Sequence, residues 1–255
     1  FAVVFIPIAV YLTLSTAKSN THEVNTLFMR IIMILLMVTI ILTHSIAAMC
    51  MAILLFVAWG ASIFYPVVYS RIGNYISLLI PFSFTVLMFA WWTYASSHIR
   101  TLSELLVWGF SIDYFDKTPA YYLNYAMPIP LEEQVFNNIG IYLFWAISLI
   151  GVFYMVSRRG SGSMFLVALM GVTPLAIAFL SLISETAVIE SRWWYVAQIL
   201  LSIPLAVAIY LMATRKPRKH LFFYCFIFGF VTIMSIFMMM STSANVDNHI
   251  FSPVT

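Results

Sequence analysis

The sequence predicts an all-α fold: a polytopic transmembrane helical bundle of about eight spans with one long outer loop. Three observations lead there. Of the 255 residues, 63% are hydrophobic and 8% are charged, whereas a soluble domain carries roughly 25% charged residues to cover its surface. The mean hydropathy is +1.01. The apolar runs are continuous and long, where a membrane β-barrel would show short alternating segments.

The spans are expected at about residues 1–16, 27–42, 46–65, 75–95, 138–157, 163–183, 192–213 and 221–241. A helix of about 20 residues crosses about 30 Å of hydrocarbon, and somewhat shorter ones occur. The first run opens at Phe1 without the basic region or small-residue cleavage site of a signal peptide. Residues 1–255 therefore read as a single transmembrane domain, the C-terminal portion of a longer polytopic chain. The second and third spans are almost one run. As one helix, Leu27 to Tyr65 would be about 58 Å long, too long for one crossing. The chain must turn at its only polar cluster there, Thr43-His44-Ser45. The fourth span closes on Trp91-Trp92-Thr93-Tyr94 and the seventh opens on Trp193-Trp194-Tyr195, amphipathic rings expected to anchor at a membrane interface.

Residues 96–137 form the long loop. Within it Thr101-Leu102-Ser103-Glu104 has the spacing of a capping box ahead of an apolar stretch, which predicts a short interfacial helix ending near Asp113. Arg158 to Ser163 and Arg215 to His220 are short basic turns. Cys50 and Cys225 lie inside apolar runs near opposite faces, and both are expected to be unpaired, buried small hydrophobes.

Assigning the connecting segments alternately to two sides sorts the charge. One side holds Lys18, Arg30, Arg71, Arg158, Arg159, Arg215, Lys216, Arg218 and Lys219, and the other holds Arg100, Lys117 and Arg192. The excess of Lys and Arg makes the first side cytoplasmic. The chain is thus expected to be a multi-pass plasma-membrane protein, with residues 96–137 and the C-terminal tail extracytoplasmic. Glu104, Asp113, Asp116, Glu132, Glu133, Glu185, Glu190 and Asp247 fall outside and only Glu23 inside. No Asp, Glu, Lys, Arg or His lies in the middle of a span, which argues against an ion-coupled transporter.

Reactive groups are therefore expected on the outer face. Asp113 and Asp116 are three apart and can share a helical face; either can serve as a general base or hold a divalent cation, Mg or Mn, against a phosphate. Glu132 and Glu133 close a Tyr-rich stretch whose rings and carboxylates suit a sugar. Arg192 can meet a lipid phosphate with two parallel hydrogen bonds, oriented by Glu190 and Glu185. The alternative for Arg192 is a snorkelling helix cap. His44 can donate to a phosphate or shuttle a proton, or be a structural residue of its turn. The sequence contains no HExxH, Walker loop, GxSxG or cysteine-based metal site.

The Thr43-His44-Ser45 turn between apolar helices, the long outer loop, and Glu190-Ser191-Arg192-Trp193 opening a late span together resemble the C-type superfamily (GT-C) of membrane glycosyltransferases, in particular its prokaryotic and archaeal members. The resemblance implies a hexosyltransferase that moves a sugar from a polyprenyl-phosphate donor to a glycan, lipid or protein acceptor on the extracytoplasmic face. Membrane lipid is then a partner and nucleic acid is not. It also implies that the main catalytic acid lies upstream of Phe1, and it makes His44 and Arg192 contacts for the donor phosphate. Two other functions fit such a layout: a surface-polysaccharide polymerase or ligase, and a non-enzymatic transporter or flippase subunit. The net acidity of the long loop counts against the first.

Overall fold

A computed structural model describes residues 2–18, 23–69, 76–96, 131–183, 190–214 and 220–240. Among them the chain is entirely helical: α1 (Ala2–Lys18), α2 (Glu23–Thr43), α3 (Ser45–Tyr69), α4 (Leu79–Tyr94), α5 (Leu131–Val156), α6 (Gly162–Ile183), α7 (Glu190–Thr214) and α8 (His220–Met240). Four segments are long and apolar enough to cross a membrane: Ser45–Tyr69, Ile139–Val156, Gly162–Phe179 and Trp193–Thr214. Val4–Ser15, Leu27–Thr43, Leu79–Tyr94 and Phe223–Met239 form shorter apolar helices. The predicted interfacial helix, with Asp113 and Asp116, lies outside the described residues, as does Glu185.

Many large apolar side chains of the described helices stand exposed. Val67 and Phe228 are each 76% exposed, and Leu79 is 71% exposed. In water such a surface would drive aggregation, and in a bilayer it meets its own kind. The hydroxyls inside the helices obey the same solvent. Thr13, Thr39, Thr93, Thr173 and Thr232 each donate to the carbonyl four residues earlier, so these hydroxyl protons are not spent on lipid.

Three helix starts depart from expectation by several residues, and the first is α2, which begins at Glu23 rather than 27. α5 begins at Leu131, before the expected 138. Pro130 directly precedes it and Glu132 and Glu133 occupy its first turn, where carboxylates suit the positive end of the helix dipole. α4 begins at Leu79, after the expected 75. Ser77 intervenes: its Oγ accepts the Leu79 N–H at 3.3 Å and its carbonyl accepts the Ile80 N–H at 3.1 Å.

The described helices belong to two compact units, residues 1–115 with 155–200 and residues 116–154 with 201–255. In the first, α3 is central and packs against α6, α4, α2 and α1. Its buried face includes Ala47, Ala48, Ala58 and Ala61, small residues that admit close neighbours. Buried Ser62 Oγ donates to the Trp59 carbonyl at 2.7 Å and accepts the Ile76 N–H at 3.3 Å. That bond ties the chain entering α4 to α3. Towards the end of α3, Tyr65 and Tyr69 pack on Phe165 with ring centroids 5.5 and 5.7 Å away, and the Tyr69 hydroxyl donates to the Val156 carbonyl. The turn that follows Val156 needs a residue without a side chain, since a Cβ on Gly160 would lie 2.0 Å from the Met155 carbonyl oxygen. Ser161 then caps α6, its Oγ accepting the Met164 N–H at 3.3 Å.

In the second unit α5 is gripped through two glycines. A Cβ on Gly151 would fall 1.9 Å from the Pro204 carbonyl oxygen of α7, and one on Gly140 would fall 2.4 Å from the Phe237 carbonyl carbon of α8. Backbone here meets backbone. Cys225 corrects an expectation: it is a free cysteine, as Cys50 is, but it is exposed where Cys50 is buried. Its neighbours Tyr224 and Phe226 are exposed as well; an apolar span does not bury every residue it contains.

Candidate functional site

The site builds from one residue outside the helical ladder. α2 ends at Thr43, α3 starts at Ser45, and His44 stands between them. Its N–H still donates to the Ile40 carbonyl at 3.2 Å and its carbonyl accepts the Ala48 N–H at 3.0 Å. Between these two bonds the backbone ladder lapses. The Ala47 N–H instead meets the His44 Nδ1 at 3.4 Å. His44 is therefore the N-cap of α3, with its ring in the place usually taken by a Ser or Asp side chain.

Beside this break lies a pocket of about 160 Å³ bounded by Thr43, His44, Ser45, Trp91, Trp92 and Ser96, with an aliphatic side from α2. The last turn of α4 supplies its other wall. The Ala95 and Ser96 N–H groups both donate to the Trp91 carbonyl, at 3.0 and 3.1 Å. The Thr43 hydroxyl donates to the Thr39 carbonyl at 2.7 Å, so its proton is committed to closing α2. The first turn of α3, whose N–H groups carry the positive end of the dipole, borders the pocket on one side. Trp92 is 3% exposed, and its Nε1–H is buried with no hydrogen-bond partner among the described residues.

Trp92 is the residue that sequence reasoning missed. Trp91 and Trp92 were both expected as interface anchors, yet adjacent helical residues point about 100° apart, and here the two take different environments. Trp91 is 38% exposed and Trp92 is packed. The second pair divides in the same way, with Trp193 at 4% and Tyr195 at 36% exposed. Trp194 stands edge-on to Phe179 at 5.1 Å.

The other expected site residues are brought together less fully. Glu190 and Arg192 fall in the first turn of α7, and Glu132 and Glu133 in that of α5; their side chains lie outside what the structure describes. Trp193, next to Arg192, belongs to the same buried cluster as Trp92 and Ala47, so the start of α7 and the His44 break share one core. Among the described residues no group of three His, Cys, Asp or Glu could hold a metal ion, and the carboxylates expected for a divalent cation are not among them. Compared with known proteins, the chain matches no protein family, no curated protein and no solved structure.

Proposed function

We propose that this chain is the membrane-embedded, eight-span portion of a C-type glycosyltransferase, taking a sugar from a polyprenyl-phosphate donor at the extracytoplasmic face. The observation that carries the reading is the pocket at the His44 break, bordered by the start of α3 and set among helices whose exposed faces suit lipid. A polyprenyl tail dissolves in the bilayer while its phosphosugar stays at the interface, so its site must join apolar helix faces to hydrogen-bond donors at one membrane edge. Transfer breaks the bond between the sugar and the donor phosphate and forms one from the sugar to an acceptor hydroxyl. The acceptor proton passes to a carboxylate base, and the departing phosphate needs donors or a cation. His44 and Arg192 serve the phosphate in this scheme, and Glu185 and Glu190 orient Arg192. Asp113, Asp116, Glu132 and Glu133 are the carboxylates available to the sugar and acceptor from this chain.

The sidedness is part of the proposal: the Arg158–Gly162 turn and the Arg215–Lys219 loop face the cytoplasm. The test is transfer of labelled sugar from a polyprenyl-phosphate donor by the full-length protein in proteoliposomes. Arg192→Ala is expected to reduce transfer by tenfold or more, the worth of a charge-assisted hydrogen bond to a phosphate. Unchanged transfer would remove Arg192 from the site, and a full-length protein without any transfer would sink the function.

A further inference from the structure

Arg158 and Arg159 receive no counter-charge from the chain that flanks them or packs beside them. Both are exposed, in the turn between α5 and α6. No Asp or Glu occurs between Glu133 and Glu185, nor between Glu23 and Glu104. The turn and the whole of α6 therefore carry no carboxylate, and neither does α3, which packs on α6. Setting the orientation of a membrane protein needs only a local excess of Lys and Arg, which a loose loop supplies. This turn is not loose.

The Gly160 N–H donates to the Ser157 carbonyl at 2.9 Å, and the Arg159 N–H donates to the Ser157 Oγ at 3.3 Å. Gly160 leaves room for the Met155 carbonyl where a side chain would collide. Just before the turn, the Tyr69 hydroxyl donates to the Val156 carbonyl and fastens the turn to the end of α3. Two adjacent guanidinium groups are thus carried on a fixed backbone. Their surroundings set their depth. Phe64, Val67 and Val68 near the end of α3 and Met164 in the first turn of α6 expose apolar side chains, and Gly162–Phe179 is long and apolar enough to cross a membrane. With those groups in hydrocarbon, the turn lies at the level of the lipid headgroups, where a guanidinium meets a phosphate with two parallel hydrogen bonds. The start of α6 is already capped by the Ser161 Oγ, so the arginines rather than the helix end carry the attraction.

We infer that the Arg158–Arg159 turn is a binding surface for the headgroup of an anionic phospholipid in the leaflet that it meets. A zwitterionic headgroup brings a cation along with its phosphate, and this stretch of chain has no carboxylate to receive it. Each basic residue close to an anionic bilayer surface strengthens the attraction about fivefold, so the pair favours an anionic headgroup by about thirtyfold. The inference concerns lipid alone. It depends neither on sugar transfer nor on which side of the membrane the turn occupies.

The experiment uses the full-length protein in phosphatidylcholine nanodiscs. In separate arms these carry a trace of phosphatidylglycerol or of phosphatidylcholine with a photoreactive group beside the headgroup, and the crosslinked peptides are mapped. Phosphatidylglycerol should label the segment 157–163 about tenfold or more above phosphatidylcholine. Arg158→Gln combined with Arg159→Gln should remove most of that excess. Arg215→Gln combined with Lys216→Gln takes the same charge from the other basic loop and should leave the excess in place. Equal labelling by the two lipids overturns the inference, as does an excess that survives the loss of both arginines. Equal loss in the two double variants overturns it too, since the attraction would then belong to net charge and not to this turn. Because the lipid comparison is made on the unaltered protein, a poorly folded variant does not obscure it. Labelling as expected without sugar transfer would leave this inference standing while the proposed function fails.

Discussion

His44 occupies two roles that a substitution series can separate. As the N-cap of α3 its Nδ1 accepts the Ala47 N–H at 3.4 Å, longer than the usual 2.7–3.2 Å range for such a bond. The cap therefore belongs at the weak end of the measured scale, about 0.5–1 kcal/mol. His44→Ala should lower the thermal midpoint of the full-length protein in detergent by about 1–4 °C, as expected for that energy in a domain of this size. His44→Asn offers a carbonyl oxygen within reach of the same N–H, and Asn is among the best N-caps. Its midpoint should stay within about 1 °C of the parent, since the cap energy is retained. Sugar transfer provides the second axis. If the imidazole also serves the phosphate, both variants lose transfer while only His44→Ala loses stability. Equal destabilisation by Asn and Ala, or none by Ala, would refute the capping assignment. Full transfer by a stable His44→Asn would confine the residue to its structural role.

Two further predictions concern packing. Gly151→Ala places a methyl 1.9 Å from the Pro204 carbonyl oxygen, so the backbones must separate by more than 1 Å to reach ordinary contact; it should cost about 1–3 kcal/mol or more. Gly60→Ala, with nothing within 4 Å of its Cβ, should be neutral or stabilise by up to about 1 kcal/mol, and reversal of that order in thermal unfolding would contradict the α5 packing. Cys225 is exposed and Cys50 buried, so an apolar maleimide should label the folded protein at Cys225 and reach Cys50 only after denaturation. Labelling of Cys50 first, followed by peptide mapping, would overturn that assignment.

Eight helices were legible because a lipid solvent writes itself into the sequence as unbroken apolar runs. The break at Thr43-His44-Ser45 was legible for a related reason, since Leu27 to Tyr65 is too long for one crossing. What decides the inside of the bundle was harder to read. Gly151 stands in an apolar run like Gly60, and nothing local says that one meets the Pro204 backbone while the other meets nothing. Tyr69 finds its acceptor 87 residues away, a distance over which periodicity carries no information. The Trp91-Trp92 pair held a usable signal, the 100° step between neighbours, which the interfacial reading of aromatic clusters passed over. The carboxylates of the long loop were expected on one side but could not be paired with one another, because long loops are positioned by contacts that no short pattern encodes.

The central helix α3 has a further consequence. It runs 25 residues from Ser45 to Tyr69, about 37 Å. It is fastened near both ends by polar contacts, the His44 ring on the Ala47 N–H and the Tyr69 hydroxyl on the Val156 carbonyl. Substitutions between those points change packing and leave both fastenings in phase. Removing a single residue shortens the rod by only about 1.5 Å but turns one end against the other by about 100°, and Tyr69 can no longer face Val156 while His44 faces the pocket. The helix behaves as a gauge whose number of residues is more tightly constrained than their identity. Relatives of this chain should vary in the side chains on the exposed face of α3 and hardly at all in the spacing from His44 to Tyr69.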